Sequence, residues 1–296
     1  MAERSNTWIP GPGQNRFPRP VQGHLPPEEH FLGKTFPFFP NHEIVEHIGT
    51  GAIGRVYRAH AAHIDGDLAF KFVPIENLPS YQHEPDVYLE EARKANVLEN
   101  PCVVPYLDVR SWEDPVLGRE FVVFIRQYVW GTSLEQFIWA NRGNVELLFI
   151  EQFLSAMFGL LFELEQRGMI HGDIHADNVL VTRSRYNLRG DVQFRVVDFK
   201  PTGHGEPSDY LGIALSLKRL LECVSYEEQQ LRDRYVFEVL RNDFLGRYLL
   251  VESDPAADDR AFSPRQLQSK LDSVDEMFAA ASASRGPEAA VRSVRR

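Results

Sequence analysis

The stretch "HGDIHADN", residues 171–178, gathers polar side chains that could do chemistry between two apolar segments. Its histidines, aspartates and asparagine could bind a metal ion, move a proton or cap a helix. His171 and His175 have the four-residue spacing of a zinc-binding helix. However, the Gly172–Asp173 pair disfavours a helix, and a short apolar run follows. The stretch therefore predicts a loop, and a zinc site is the less favoured alternative.

A glycine cluster lies far upstream, in "IGTGAIGRVYRA", with Gly49, Gly51 and Gly54. This spacing occurs in dinucleotide-binding folds only between a strand and a helix. Here the alternation of apolar residues predicts a strand on each side, which excludes that fold. A glycine-rich hairpin can instead lie over phosphates, because backbone N–H groups approach closely where side chains are missing.

Lys71 stands in the apolar strand-like run "LAFKFV". A lysine in such a strand is costly unless it has an anionic partner or reaches solvent. The predicted helix "YLEEARKA" offers a carboxylate, with Glu91 preferred to Glu90. Asp198 ends another apolar strand, "RVVDFK", from which it would project into a cleft. The order glycine hairpin, strand lysine, helix glutamate, Asp-x-x-x-x-Asn and strand-end aspartate matches the parts used for phosphoryl transfer.

With these motifs the chain resembles the eukaryotic-like protein kinase superfamily over residues 41–278. "HGDIHADN" takes the place of the catalytic loop, "DFK" of the metal-binding Asp-Phe-Gly, and "QYVWGTSLEQF" of the hinge. "SDYLGIALSL" resembles the F helix, in which Asp209 would hold the catalytic loop. The resemblance implies an α+β, bilobal fold: a small antiparallel N-lobe sheet with one αC helix, and a mostly helical C-lobe. It also implies a kinase, a transferase that uses ATP and Mg²⁺.

The resemblance further implies a role for each site residue. Asp173 would orient the attacking hydroxyl or accept its proton, and Asn178 and Asp198 would hold Mg²⁺ against the ATP phosphates. Lys71, held by Glu91, would grip the α- and β-phosphates. The remaining nucleotide contacts are expected from Gly49, Gly51, Gly54, Val56, Ala69, Gln127, Tyr128 and Val129.

Four departures from the family pattern concern the acceptor and the regulation. Gly172 stands where many protein kinases have an arginine that binds an activation-loop phosphate. His175 replaces a lysine, and "HGDIH" resembles the loop of aminoglycoside and choline kinases. Lys200 replaces the glycine of Asp-Phe-Gly. Only "FKPTGHGEPS" separates Asp198 from Asp209, which is too short for a long peptide-binding platform.

These departures leave three functional hypotheses. The preferred one is an atypical serine/threonine protein kinase that transfers the γ-phosphate of ATP to a protein hydroxyl. A small-molecule kinase of the aminoglycoside or choline kinase type is the first alternative, favoured by His175 and the short segment. A nucleotide-binding pseudokinase scaffold is the second, and it is weakened because all five residues with implied chemical roles are present.

Arg126 aligns with the gatekeeper position behind the adenine pocket, which is normally apolar or a small hydroxyl residue. One interpretation shifts the strand by one residue and makes Ile125 the gatekeeper. The other pairs Arg126 with an acid such as Glu91 or Asp198, which would indicate an inactive resting state. The shift is the preferred interpretation, because strand positions are poorly defined by sequence.

Composition divides the chain into four segments. Residues 1–40 are rich in proline, which predicts a disordered or polyproline-type extension without helix. Residues 41–130 are predicted to form the N-lobe, 131–278 the C-lobe, and 279–296 a basic flexible tail. The extension could alternatively dock on a partner or surface through its aromatic residues, which are Trp8, Phe17, Phe31, Phe36, Phe38 and Phe39.

The bulk composition narrows the class of protein. A net charge of −10 argues against nucleic-acid binding, which needs a basic face. Two cysteines in apolar contexts fit reduced thiols, and no signal-peptide pattern opens the sequence, so a cytoplasmic location is expected. The apolar segment "LLFIEQFLSAMFGLLFELEQ" is interrupted by Glu151, Gln152 and Glu163, which predicts a buried core helix and no membrane span.

Overall fold

The computed structural model describes residues 25–61, 66–78, 85–183, 192–200 and 209–224, and isolated residues between 237 and 276. The N-lobe is an antiparallel sheet of five strands in the order β1-β2-β3-β5-β4, crossed by one helix, α1. Both features confirm the predicted N-lobe. The bounds are β1 (Glu43–Thr50), β2 (Arg55–His60), β3 (Leu68–Pro74), α1 (Pro85–Val97), β4 (Tyr106–Asp114) and β5 (Arg119–Gln127).

Strand alternation gives the sheet two faces with different tasks. Phe70 and Phe72 of β3 pack into an outer aromatic cluster, while Ala69 and Lys71 alternate with them on the other side. Lys71 pairs with Val56 on β2 and Phe124 on β5. Because directly paired residues share a face of an antiparallel sheet, these side chains lie together on the inner face, which we call the cleft face.

Residues 25–42 cover the outer face of the same sheet. Phe31 has no exposed surface, stacks on Phe72 with ring centroids 4.1 Å apart, and lies edge-on to Tyr57. Phe36, Phe38 and Phe39 extend this cluster. For these residues the prediction of a disordered extension is wrong, because the aromatic residues bury enough apolar surface to order the segment. Trp8 and Phe17 lie outside the described residues.

The predicted exclusion of helix by proline also fails at one turn. Glu28–Phe31 form a short 3₁₀ helix that starts directly after Pro27. Proline is tolerated there, because its missing N–H would have no partner at a helix start, while its carbonyl accepts a bond from the His30 N–H. The ordered part of the N-lobe therefore begins earlier in the chain than residue 41.

The C-lobe is built around α3, which is buried on most of its surface. Ten of its residues are buried, and α2 and α4 flank it. By length and composition alone α3 could cross a membrane, but 56% of its most apolar stretch is buried inside the protein, as in a core helix. The bounds are β6 (Thr132–Ser133), α2 (Leu134–Ala140), α3 (Leu147–Gln166), β7 (Val179–Arg183), β8 (Val192–Val196) and α4 (Asp209–Glu222).

The small sheet β6-β7-β8 flanks the catalytic-loop stretch. "HGDIHADN" lies between α3 and β7 and forms a loop, as predicted. The part of the predicted C-lobe after residue 224 and the basic tail lie almost wholly outside the described residues, as does the segment 201–208.

Candidate active site

The cleft face of the N-lobe sheet carries Val56, Ala69 and Lys71, which are three of the residues predicted to contact a nucleotide. Ala69 pairs with Arg126 across β3 and β5, which puts Arg126 on the same face. The glycine hairpin joins β1 to β2 at the edge of this face. Gly49 pairs with Val56 there, and the Gly51 N–H donates to the carbonyl of Gly54 at 2.8 Å.

Lys71 is bonded to a different carboxylate from the one predicted. Its Nζ lies 2.8 Å from Asp198 Oδ2, and the predicted ion pair with Glu91 is not formed. Glu91 is buried and instead accepts a hydrogen bond from the Tyr106 hydroxyl. Burial alone would lower the pKa of Lys71, but the charges of Asp198 and Glu91 outweigh burial and raise it, so the ammonium stays charged.

Arg126 occupies the cleft, and the preferred one-residue shift is wrong. Its Nη1 lies 2.7 Å from Asp198 Oδ1, and only 9% of the residue is exposed. Ile125 faces the opposite way, into the outer cluster with Phe70. The strand pairing decides this, because Arg126 lies opposite Ala69 and therefore shares the face of Lys71. The alternative interpretation, an ion pair with Asp198, is the one that the structure has.

The catalytic-loop backbone is held by α4. Asp209, the first residue of α4, accepts the N–H groups of His171 at 2.8 Å and Gly172 at 2.9 Å. Gly172 has φ 82°, a conformation that glycine adopts without strain and that an arginine would adopt at a cost. A Cβ on Gly212 would lie 1.6 Å from the carbonyl oxygen of Ile174, so α4 can approach the loop only with glycine at that position.

Asp173 is surrounded by hydrogen-bonding groups in this loop. Lys200 Nζ lies 2.7 Å from its Oδ1, and the His175 ring lies 3.7 Å from Oδ2. Asn178 Nδ2 donates to the carbonyl and to Oδ2 of Asp173, both at 3.1 Å. Burial would raise the pKa of the Asp173 carboxyl, but the contacts with His175 and Lys200 outweigh burial and lower it, so the carboxylate is ionised.

His171 is a structural residue of the loop. It is fully buried, and its ring packs on Phe199 with centroids 4.1 Å apart. Burial lowers its pKa to about 3, so the ring is neutral at physiological pH. The described residues contain no cluster of three or more metal-ligating side chains, so the structure gives the zinc alternative no support.

Asp198 and its neighbours join the loop to the N-lobe. Asp198 has φ 64°, which is uncommon for a residue other than glycine and is tolerated best by aspartate and asparagine. The Lys200 N–H donates to the His171 carbonyl at 2.9 Å, and Lys94 of α1 donates to the Lys200 carbonyl at 2.7 Å. The segment 197–200 is therefore fixed to both the catalytic loop and α1.

The hinge follows β5, which ends at Gln127. The Tyr128 N–H donates to the Asp67 carbonyl at 2.9 Å, so this group is engaged within the N-lobe and is not free for adenine. The adenine contacts predicted for Gln127 and Val129 stay predictions.

Asn178 and Asp198 supply the oxygen atoms that Mg²⁺ prefers. The amide nitrogen of Asn178 is used in bonds to Asp173, so its amide oxygen is the atom that can face a metal ion. The donor types therefore fit Mg²⁺. Both oxygens of Asp198, however, are bonded to side-chain cations, Lys71 and Arg126. A metal ion at Asp198 would have to compete with at least one of them.

Comparison with known proteins identifies the family. The family model described as "Protein kinase domain" matches residues 42–207, more than half of the chain. The chain belongs to the protein kinase family. The glycine hairpin, Lys71, Glu91, the catalytic loop and Asp198 all lie within the matched residues, so the kinase fold and its site-forming elements are those of the family.

The relatives are bacterial and eukaryotic kinases. The chain is 30% identical over 147 residues to the serine/threonine-protein kinase PknD of Chlamydia pneumoniae, covering 47% of this chain and 15% of that protein. It is 28% identical over 134 residues to the MAP kinase kinase kinase SSK2 of Saccharomyces cerevisiae, covering 45% and 8%. The chain thus spans only a small part of these curated relatives.

Solved structures support the fold. A crystal structure of the PknI kinase domain of Mycobacterium tuberculosis superimposes with a TM-score of 0.57 at 19% identity, covering 83% of this chain and 98% of that one. At this identity the likeness shows the fold alone. The bilobal α+β fold that the motifs implied is confirmed.

Proposed function

We propose that this chain is an atypical serine/threonine protein kinase that transfers the γ-phosphate of ATP to a protein hydroxyl, with Mg²⁺ as cofactor. The observation that carries the proposal is one bonded network. Lys71 contacts Asp198, Asn178 contacts Asp173, and the N–H of Val197 donates to the Asn178 carbonyl at 3.0 Å. A phosphate lysine, a base and two metal-type oxygen donors thus lie in one cleft.

The residues would share the work as follows. Asp173, ionised, would accept the proton of the acceptor hydroxyl. The hydroxyl oxygen would then bond to the γ-phosphorus, while the bond between the γ-phosphorus and the bridging oxygen of the β-phosphate breaks. Asn178 would hold Asp173 and offer its amide oxygen to Mg²⁺ together with Asp198. Mg²⁺, when bound, supplies positive charge against the phosphates. Lys71 would orient the α- and β-phosphates, so catalysis rests on positioning and charge neutralisation.

A small-molecule acceptor is the second candidate. Ten residues separate Asp198 from Asp209, and His175 stands in the loop beside Asp173 at 3.7 Å. So short a connection leaves little chain from which to build a peptide platform.

The two buried free thiols support a proposed cytoplasmic location for either activity.

The test is transfer of label from γ-labelled ATP with Mg²⁺, scored separately on protein and small-molecule fractions. We expect label on the protein itself or on a generic protein acceptor. Asp173→Asn should reduce transfer by about 10²–10⁴-fold, the usual contribution of a positioned base. Asp108→Asn is the matched control, because Asp108 lies on the edge strand β4 and pairs with Arg110.

Each outcome separates the hypotheses. Label that reaches only a metabolite extract would favour the small-molecule kinase. Absence of transfer by a folded protein that is still stabilised by ATP would favour the pseudokinase scaffold. If Asp173→Asn and Asp108→Asn behave alike, Asp173 is not the base. Asp198→Ala, run alongside, should remove transfer whichever acceptor is used.

A further inference from the structure

The carboxylate of Asp198 is bonded to a cation at each oxygen. Oδ1 lies 2.7 Å from Arg126 Nη1, and Oδ2 lies 2.8 Å from Lys71 Nζ. A carboxylate that holds Mg²⁺ needs an oxygen about 2.0–2.1 Å from the metal ion. Each oxygen of Asp198 therefore already has a cationic partner, and the two partners come from different strands, β3 and β5.

Arg126 is the unusual partner of the two, because it is buried and its charge has few other contacts. Its guanidinium carbon lies 5.8 Å from the centroid of the Tyr106 ring, and Nη1 is 3.4 Å from the Tyr106 hydroxyl. That hydroxyl donates to Glu91, so Glu91 is already satisfied. Asp198 is therefore the one carboxylate to which Arg126 is directly bonded among the described residues.

The charges around Asp198 indicate that the ion pair with Arg126 opposes the binding of a divalent metal ion. Two carboxylates of the site, those of Asp173 and Asp198, form ion pairs with three cations, which are Lys71, Arg126 and Lys200. Buried charges are screened little by salt. A dication arriving at Asp198 would meet two positive groups within hydrogen-bond distance of the same carboxylate. It must displace one, and Lys71 is the group that the phosphates would retain.

We propose that Arg126 is a tethered cation that competes with the divalent metal ion for Asp198, and so sets the metal concentration that nucleotide binding requires. The proposal rests on the function proposed above, since it concerns the same metal site. Displaced from Asp198, the guanidinium keeps the Tyr106 ring as a cation–π partner and Glu91 as a nearby carboxylate. With these contacts, a metal ion can replace Arg126 at Asp198 without leaving the guanidinium charge in purely apolar surroundings.

The experiment measures metal binding by two routes in wild type, Arg126→Met, Arg126→Gln and Arg126→Lys. The first is a Mg²⁺ titration at saturating non-hydrolysable ATP analogue, followed by thermal shift. The second is Mn²⁺ binding to the nucleotide-free protein, followed by electron paramagnetic resonance. We expect both neutral variants to bind metal about tenfold more tightly than wild type, equivalent to ~1.4 kcal/mol of removed competition.

Two controls define the site and the role of charge. Arg126→Lys keeps the cation and should stay close to wild type. Asp198→Asn should abolish the metal response in both assays. Met and Gln differ in polarity but not in charge, so agreement between these two variants excludes a local packing effect. Circular dichroism confirms that each variant is folded, and if Met disturbs the cleft the Gln variant still decides.

The proposal is overturned if the neutral variants bind metal with the same or lower affinity than wild type. The Mn²⁺ assay contains no nucleotide, so it tests Arg126 even if the analogue does not bind. Failure of the analogue to stabilise folded wild type at any Mg²⁺ concentration would instead reject the proposed function. The two failures are therefore distinguishable.

Discussion

The ammonium group of Lys200 lies next to the carboxylate of Asp173, the proposed base. Its Nζ lies 2.7 Å from Asp173 Oδ1 and, with His175, keeps the Asp173 pKa below its ordinary value against the opposing effect of burial. We predict that Lys200→Met raises the Asp173 pKa. The base is active when deprotonated. As the pH is lowered, the variant should therefore lose activity at a higher pH than wild type does. The pH profile of phosphotransfer tests this, with Lys200→Arg as the charge-preserving control, and unchanged acid limbs would contradict it.

The buried His171 ring is expected to make the folded protein sensitive to acid. Its pKa is lowered to about 3 by burial, whereas in the unfolded chain it is near 6.5. Between these values the unfolded state binds a proton that the folded state excludes, so stability falls with decreasing pH by up to ~1.4 kcal/mol per pH unit. Above pH ~6.5 the ring is neutral in both states, so His171 costs the folded state no stability there.

We predict that His171→Phe, which keeps the ring packing on Phe199, loses less stability than wild type between pH 6.5 and 4. Denaturant unfolding at a series of pH values measures the two slopes. Phe199→Leu, which alters the same ring packing without removing a titratable group, is the control and should leave the slope unchanged. Equal slopes for His171→Phe and wild type would mean that another group causes the acid sensitivity.

At the level of elements, the contact between α4 and the catalytic loop depends on one missing side chain. A Cβ at Gly212 would lie 1.6 Å from the Ile174 carbonyl oxygen, so the helix or the loop must move. We predict that Gly212→Ala destabilises the protein by at least ~1–3 kcal/mol, the usual cost of overpacking, and lowers phosphotransfer, because Asp209 loses its position under the loop.

Gly159→Ala is the matched control for Gly212→Ala. Gly159 is also inside a helix, α3, and a Cβ there meets no atom within 4 Å. Alanine should stabilise that helix by about 0.5–1 kcal/mol, since it restricts the unfolded chain. Urea unfolding and phosphotransfer of both variants give the comparison. Similar behaviour of the two alanines would show that the close approach of α4 is unimportant.

The same elements show how far sequence could predict the fold and the site. The alternation of "LAFKFV" and the helical spacing around Glu91 correctly gave the strand with Lys71 and the helix beside it. Which carboxylate Lys71 bonds was not encoded locally, because Glu91 and Asp198 are both acids and only the tertiary distances choose between them. The direction of Arg126 likewise depends on its pairing with Ala69 across β3 and β5, a register that one strand alone does not fix.

At the scale of the whole molecule, the proline-rich start was misjudged because two signals conflict there. Prolines exclude regular structure locally, whereas phenylalanines gain free energy from any apolar surface that they can reach. The outer face of the N-lobe sheet, with Phe70, Phe72 and Phe121, is such a surface. Residues 25–42 accordingly form part of the N-lobe core, on the side of the sheet opposite to the cleft.

Phe31 tests this integration. It is completely buried, stacked on Phe72 and edge-on to Phe121, whereas the neighbouring Leu32 is 41% exposed. We predict that Phe31→Ala destabilises the protein by about 3–5 kcal/mol, as for other buried aromatic truncations, and that Leu32→Ala changes stability by less than ~0.5 kcal/mol. Denaturant unfolding measures both. Because β3 presents Phe72 on one face and Lys71 on the other, loss of the aromatic cover should also weaken nucleotide binding. A Phe31→Ala protein with wild-type stability would show that the N-terminal segment contributes nothing to the stability of the sheet.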